Sequence, residues 1–157
     1  MQYKELEGLI EVIRKLRAPD GCEWDRAQTH YSLRPNMLEE AYEAVDAIDE
    51  GSPEHLKEEL GDVLLQVLLH SQIADDNGEF DIEDVAKTLK DKLIHRHPHV
   101  FGNVRVSSTD EILSNWDKLK KEEKKERKSA MDGISKSQSA LIAAKKISKN
   151  AVKTGFE

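Results

Sequence analysis

An all-α fold follows from three features of the sequence: apolar residues recur at helical spacing, glycine and proline are scarce, and charge is abundant. Only 8 glycines and 4 prolines occur in 157 residues. Hydrophobic residues make up 38% of the chain and charged residues 35%, against about 45–50% and about 25% in an ordinary globular domain. Long helices with one buried stripe and a wide charged surface produce that balance. No stretch shows sustained period-two alternation, and no repeat occurs at solenoid spacing. A single copy has little core to bury, so a helical bundle completed by dimerisation, a homodimer, is expected.

The first helix covers residues 2–16, where Leu6, Leu9, Ile10, Ile13 and Leu16 share a face. Ala18-Pro19-Asp20-Gly21 breaks it, and residues 22–34 read as an irregular connection containing Trp24, Asp25 and Gln28. Pro35 suits the first turn of a second helix that runs to Glu50 and stops at Gly51. Ser52 as N-cap and Pro53 at the first helical position start a third, which extends to Asp76 and ends at Asn77-Gly78. Asp81 caps a fourth helix reaching Arg96, where Pro98 helps to end it. A fifth is predicted over Thr109 to Lys128, turning Ile112, Trp116 and Leu119 inward, and a weakly amphipathic sixth over Ser137 to Val152.

The formal net charge is −7. Basic residues are interleaved with acids, as in the run from Lys120 to Lys128, which reads as a solvated helix face and offers no basic patch for nucleic acid. No run of about 18 apolar residues exists to span a bilayer. The segment Met1-Gln2-Tyr3-Lys4-Glu5 has no apolar signal region, so a cytoplasmic location is expected. Cys22, the only cysteine, leaves no internal disulfide and reads as structural. His97 and His99 flank Pro98 and read as helix-end structure rather than zinc ligands. A polyanionic small molecule remains open as a ligand, provided that a metal ion carries the positive charge.

The acids then decide where to look. At about 100° per residue, Met37, Leu38, Ala41, Ala44, Val45 and Ile48 form an apolar arc on the second helix. Glu40 and Glu43 lie along one edge of it with Asn36 between them, and Glu39 lies further toward solvent. On the third helix Glu59, Asp62 and Gln66 share a face. The apolar run after Asp62 covers nearly every direction, so that helix is expected to be enclosed by neighbours. Carboxylates in dry surroundings require cations or protons. Two acid pairs meeting across a helical hairpin offer the oxygen ligands that suit Mg²⁺. With 31 acids in the chain, pairs at this spacing also arise by chance and stay solvated. On the fourth helix, Lys92 and Arg96 project to the side of Ile82, Val85, Leu89 and Leu93. Either their stems snorkel to water or they face a buried anion. Several alternatives lack their motifs: Glu-x-x-His pairs, a His-Asp dipeptide, a Gly-rich phosphate loop and a Gly-x-Ser-x-Gly elbow are all missing.

Glu39-Glu40-x-x-Glu43 followed by Glu59-x-x-Asp62 resembles the EExxE…ExxD signature of the MazG family of all-α nucleoside triphosphate pyrophosphohydrolases. So do Gly21-Cys22-x-Trp24-Asp25-x-x-Gln28-Thr29, Arg96-His97-Pro98-His99-Val100-Phe101, Trp116, Ala144-Lys145-Lys146 and Gly155-Phe156, which extend the likeness over nearly the whole chain. Glu23, where proline is usual, and Asn36, where an aromatic or lysine is common, depart from the pattern in ways expected to affect loop stiffness or base contacts.

The resemblance implies Mg²⁺-dependent hydrolysis of nucleoside or deoxynucleoside triphosphates to the monophosphate and pyrophosphate, with Mn²⁺ as a substitute metal. It implies Glu40, Glu43, Glu59 and Asp62 as metal ligands, with Glu39 orienting a nucleophilic water or standing behind the ligands. Asn36, Lys57, Glu58, Lys92, Arg96 and Trp116 fall at nucleotide-contact positions. It also implies a MazG-like domain over residues 1–128 and a helical extension, or linker toward a second repeat, over 129–157. The different-class alternative is a non-catalytic helical-bundle dimer acting as a regulatory module. A nearer one is a pyrophosphohydrolase specialised for dUTP, dCTP or phosphoribosyl-ATP.

Overall fold

The structure is a computed structural model that describes residues 3–124, 129 and 131–156. The chain divides into two compact units, Met1–Lys90 and Asp91–Glu157. Within the first unit lie α1 (Lys4–Arg17), α2 (Glu23–Ala27), α3 (Arg34–Glu50) and α4 (Pro53–Asp76). The division falls inside α5 (Ile82–Arg96). The second unit holds α6 (Pro98–Phe101), α7 (Thr109–Glu122) and α8 (Ala140–Val152). Among the described residues there is no strand, and no helix is long and apolar enough to cross a membrane.

Local chemistry sets the joints of the first unit. Gly51 ends α3 with φ of 70°, a left-handed conformation that glycine adopts without a steric cost. Ser52 Oγ accepts from the His55 amide at 3.3 Å, and Pro53 supplies a helical φ at the start of α4. Asp81 and Asp84 cap α5 reciprocally, each carboxylate accepting from the other's backbone N–H. At the end of α1 the chain doubles back, and Cys22 N–H donates to Leu16 O at 2.8 Å. A Cβ on Gly21 would collide with the carbonyl oxygens of Lys15 and Leu16, so only glycine fits there.

The core joins α1 to the second half of α4. Ile13, Leu33, Leu68, Leu69 and Ile73 are buried together, with Leu9, Ile10, Leu16, Leu64, Leu65 and Ile82 packed around them. Burying each large side chain contributes about 1.5–3 kcal/mol. Ala44 and Ala47 are the buried residues of α3, and such small side chains let its backbone come close to α4. Arg17 ties the corner: Nε donates to Asp76 Oδ2 at 2.8 Å, and Nη1 donates to the carbonyls of Asp25 and Gln28.

Several expectations require correction. Residues 23–27 form a one-turn helix inside the connection expected to be irregular; five residues are too few for an apolar period to register. The four-residue α6 was likewise not expected. On α3, Leu38, Val45 and Ile48 of the predicted buried arc are exposed, because α4 packs on the alanine line beside them. The first half of α4 is only partly enclosed, with Leu60 exposed and Val63, Leu64 and Leu65 half-buried. Leu89 and Leu93 of α5 are exposed: a period tells which residues share a face, not whether anything covers it. Trp116 on α7 is 37% exposed rather than turned inward. α7 ends at Glu122, with residues 123 and 124 in a turn and 125–128 outside the described residues. α8 starts at Ala140, three residues later than its pattern suggested.

Candidate functional site

The hairpin of α3 and α4 brings acids from both helices to one point. One carboxylate oxygen each from Glu40, Glu43 and Glu59 lie within 4.8 Å of one another. Glu40 is held above the ordinary carboxyl range by burial first, then by the charges of Asp62 and Glu43, a hydrogen bond with Glu43, and the charge of Glu39. Asp62 therefore stands near Glu40, although it is outside the three-carboxylate group. Glu39 is exposed, as its place on the helix wheel predicts.

Glu59 is buried, only 8% exposed, and its Oε2 has no hydrogen-bond partner. A buried carboxylate oxygen without a partner costs free energy comparable to a lost charged hydrogen bond, about 1.5–3 kcal/mol. Three convergent carboxylates add mutual repulsion. A hard divalent cation would satisfy both, since it takes oxygen ligands and several negative charges at once. The donor set fits such an ion on this observation. Two turns further along α4, Gln66 is 3% exposed and its Oε1 is also unpartnered. Polar burial therefore continues along the face predicted to carry Glu59, Asp62 and Gln66.

His55 was not among the expected site residues. Its Nδ1 lies 2.7 Å from Glu50 Oε2 and its Nε2 3.0 Å from Glu59 Oε1. The hydrogen bond to Glu50 is the chief cause that raises its pKa above the ordinary histidine value. The signal was present in the sequence, because His55 precedes Glu59 by one helical turn and so shares its face. A second histidine pair, His30 and His70, stacks with ring centroids 5.1 Å apart and one Nδ1–H donating to the other Nδ1 at 2.8 Å.

Asn36 is half-buried at the start of α3, while Lys57 and Glu58 are exposed in the second turn of α4. Lys92, Arg96 and Trp116 belong to the second unit. There the Arg96 guanidinium binds both oxygens of Glu123, with Nε at 3.0 and 3.1 Å, and holds that carboxyl below its usual range. Lys92 is exposed, and the Trp116 ring centroid lies 6.0 Å from that of His97. A cleft of about 220 Å³ in the first unit is lined by Glu7, Glu11, Asp75, Asp81 and Glu83, with Arg14 as its one basic group. Among the described residues, the cleft acids are not gathered closely enough to hold a metal ion as Glu40, Glu43 and Glu59 are, so the acidic hairpin is the better candidate.

Residues 28–101 match the family described as MazG nucleotide pyrophosphohydrolase domain. The match spans all the acids of the hairpin. Over these residues the chain carries a MazG domain. It is 50% identical over 152 residues to the Thermotoga maritima nucleoside triphosphate pyrophosphohydrolase/pyrophosphatase MazG, an alignment covering 96% of this chain and 58% of that protein. It is 40% identical over 156 residues to the nucleoside triphosphate pyrophosphohydrolase of Escherichia coli K12, covering 98% of this chain and 59% of that one. A 49% identity to the uncharacterized Bacillus subtilis protein YabN covers 94% of this chain but 30% of the relative. The chain thus spans less than two thirds of the length of these relatives. Among solved structures, a mazG-related protein from Thermotoga maritima superposes with a TM-score of 0.62 at 29% identity, covering 73% of this chain and 98% of that one. The helices of this chain thus follow the fold of a MazG-related protein.

Proposed function

We propose that this MazG chain hydrolyses nucleoside or deoxynucleoside triphosphates to the monophosphate and pyrophosphate, with Mg²⁺ held by Glu40, Glu43, Glu59 and Asp62 over residues 1–128. The observation that carries the reading is that Glu40, Glu43 and Glu59 meet and that Glu59 Oε2 is buried without a partner. Bound Mg²⁺ supplies a Lewis acid for the phosphoryl oxygens and lowers the pKa of a coordinated water. In the reaction a water oxygen bonds to the α-phosphorus while the bond from that phosphorus to the α–β bridging oxygen breaks, and pyrophosphate leaves. Glu39, next to Glu40 and solvent-facing, is the proposed residue that orients the water and accepts its proton. On sequence grounds, Asn36, Lys57, Glu58, Lys92, Arg96 and Trp116 are the proposed nucleotide contacts. Removing surplus nucleotides in this way is a house-cleaning task suited to the cytoplasm.

The outward side of α3 supports the dimer in the same proposal. Leu38, Tyr42, Val45 and Ile48 are 52%, 61%, 51% and 59% exposed, on one stripe beside the acids. A second copy covering that stripe would also enclose the first half of α4. Mn²⁺ is expected to replace Mg²⁺ because both accept oxygen ligands.

The test is pyrophosphate release measured across all nucleoside and deoxynucleoside triphosphates with Mg²⁺ present. Glu40→Gln and Asp62→Asn are expected to lower turnover by at least about 10³-fold with helix content unchanged. Near-wild-type release from either variant sinks the assignment. A non-catalytic dimer would show no Mg²⁺-dependent rise in thermal stability, which separates the two readings.

A further inference from the structure

We propose that His55 is a positioning residue for Glu59: it holds one carboxylate oxygen so that the other stays available to the divalent cation. The inference rests on the metal-centre reading above and adds a residue to it. Glu59 Oε1 is 3.0 Å from His55 Nε2, whereas Oε2 is buried without a partner. The two oxygens of one carboxylate are thus in different circumstances. A fixed Oε1 leaves Glu59 to bind the cation through a single oxygen and limits rotation about its last bond.

The ring that does this is itself held from behind. Nδ1 of His55 lies 2.7 Å from Glu50 Oε2, on the last residue of α3. His55 N–H is also bonded to the Ser52 cap. The chain Glu50–His55–Glu59 therefore crosses the joint between α3 and α4, with a hydrogen bond at Nδ1 and an ion-pair contact at Nε2 restraining the imidazole. An exposed histidine four residues from a glutamate would otherwise be an ordinary helix-surface pair worth a few tenths of a kcal/mol. What distinguishes this pair is that its glutamate is buried and belongs to the three-carboxylate group. Hydrogen-bond partners behind metal ligands typically change metal affinity about 10–100-fold when removed.

The experiment titrates the whole chain with Mn²⁺ alone, nucleotide absent, by calorimetry. Wild type is compared with His55→Ala, His55→Gln, Glu50→Gln and Glu59→Gln, and circular dichroism follows helix content. His55→Ala is expected to weaken Mn²⁺ binding about tenfold or more. His55→Gln, whose amide N–H can reach the same oxygen as the ring Nε2–H, is expected to recover most of that loss. Glu50→Gln should fall between wild type and His55→Ala. At saturating metal the nucleotide KM should stay unchanged in His55→Ala, while the metal concentration for half-maximal rate rises. Wild-type Mn²⁺ affinity in His55→Ala overturns the proposal, as does a His55→Gln variant as weak as His55→Ala. If Glu59→Gln also binds Mn²⁺ like wild type, the metal centre itself falls with it; loss in Glu59→Gln alone removes only the role of His55.

Discussion

Single side chains decide most of the energetics that can be assigned here. Arg17 on α1, 8% exposed at its side chain, serves three acceptors on two other segments. Replacing it with alanine leaves the Asp25 and Gln28 carbonyls without their donor and Asp76 without its cation. Arg17→Ala should lower stability by about 2–3 kcal/mol, read as a shift of the urea midpoint. The His30–His70 pair makes a pH-dependent contribution. Burial, and secondarily the charge of His30, holds His70 below its ordinary value of 6.5. The unfolded chain therefore binds more protons than the folded one as pH drops below that value. The stability involved is complete above the ordinary value and lost as pH falls through the depressed one. His70→Phe should flatten the slope of stability with pH below 6.5. An unchanged slope in urea titrations would assign the acid sensitivity elsewhere.

At the scale of elements, the α3–α4 hairpin does the positioning, and its joints are short and specific. Two residues, Gly51 and Ser52, turn the chain, so a small change there moves Glu43 relative to Glu59. Gly51→Ala would force a left-handed backbone on a residue with a Cβ and should cost about 1–2 kcal/mol. A lower melting temperature with reduced Mg²⁺ affinity is the expected pair of readouts. Gly21→Ala tests a different constraint: its Cβ would meet backbone oxygens that cannot rotate away. A loss of about 1–3 kcal/mol is expected there, with α2 displaced. Helix boundaries near these joints were legible because caps and breakers are local chemistry. α2 and α6 were not, since a single turn carries no readable period.

For the whole molecule, the exposed apolar stripe of α3 is the surface that calls for a partner. Four large apolar side chains on one stripe are too contiguous for a surface that meets only water. With the proposed dimer seated on that stripe, Val45→Glu should give a monomer in sedimentation equilibrium while leaving α1 and α4 packed. A variant that remains dimeric would point to another interface.

That Glu40 and Glu43 share one face, and Glu59 and Asp62 another, was readable at once, because residues three and four apart on a helix lie together whatever surrounds them. The same rule named the stripe of α4, and caps and breakers named most helix ends. Which side of α3 lies against α4 was not readable: the apolar arc and the alanine line both look buried, and only packing selects the side whose small residues allow close approach. Nor could periodicity show that Glu59 has one oxygen beside His55 and the other buried without a partner, or that Arg96 meets Glu123. Such contacts depend on distances between side chains that are remote in the chain or free to rotate, and those exist only once the helices have packed.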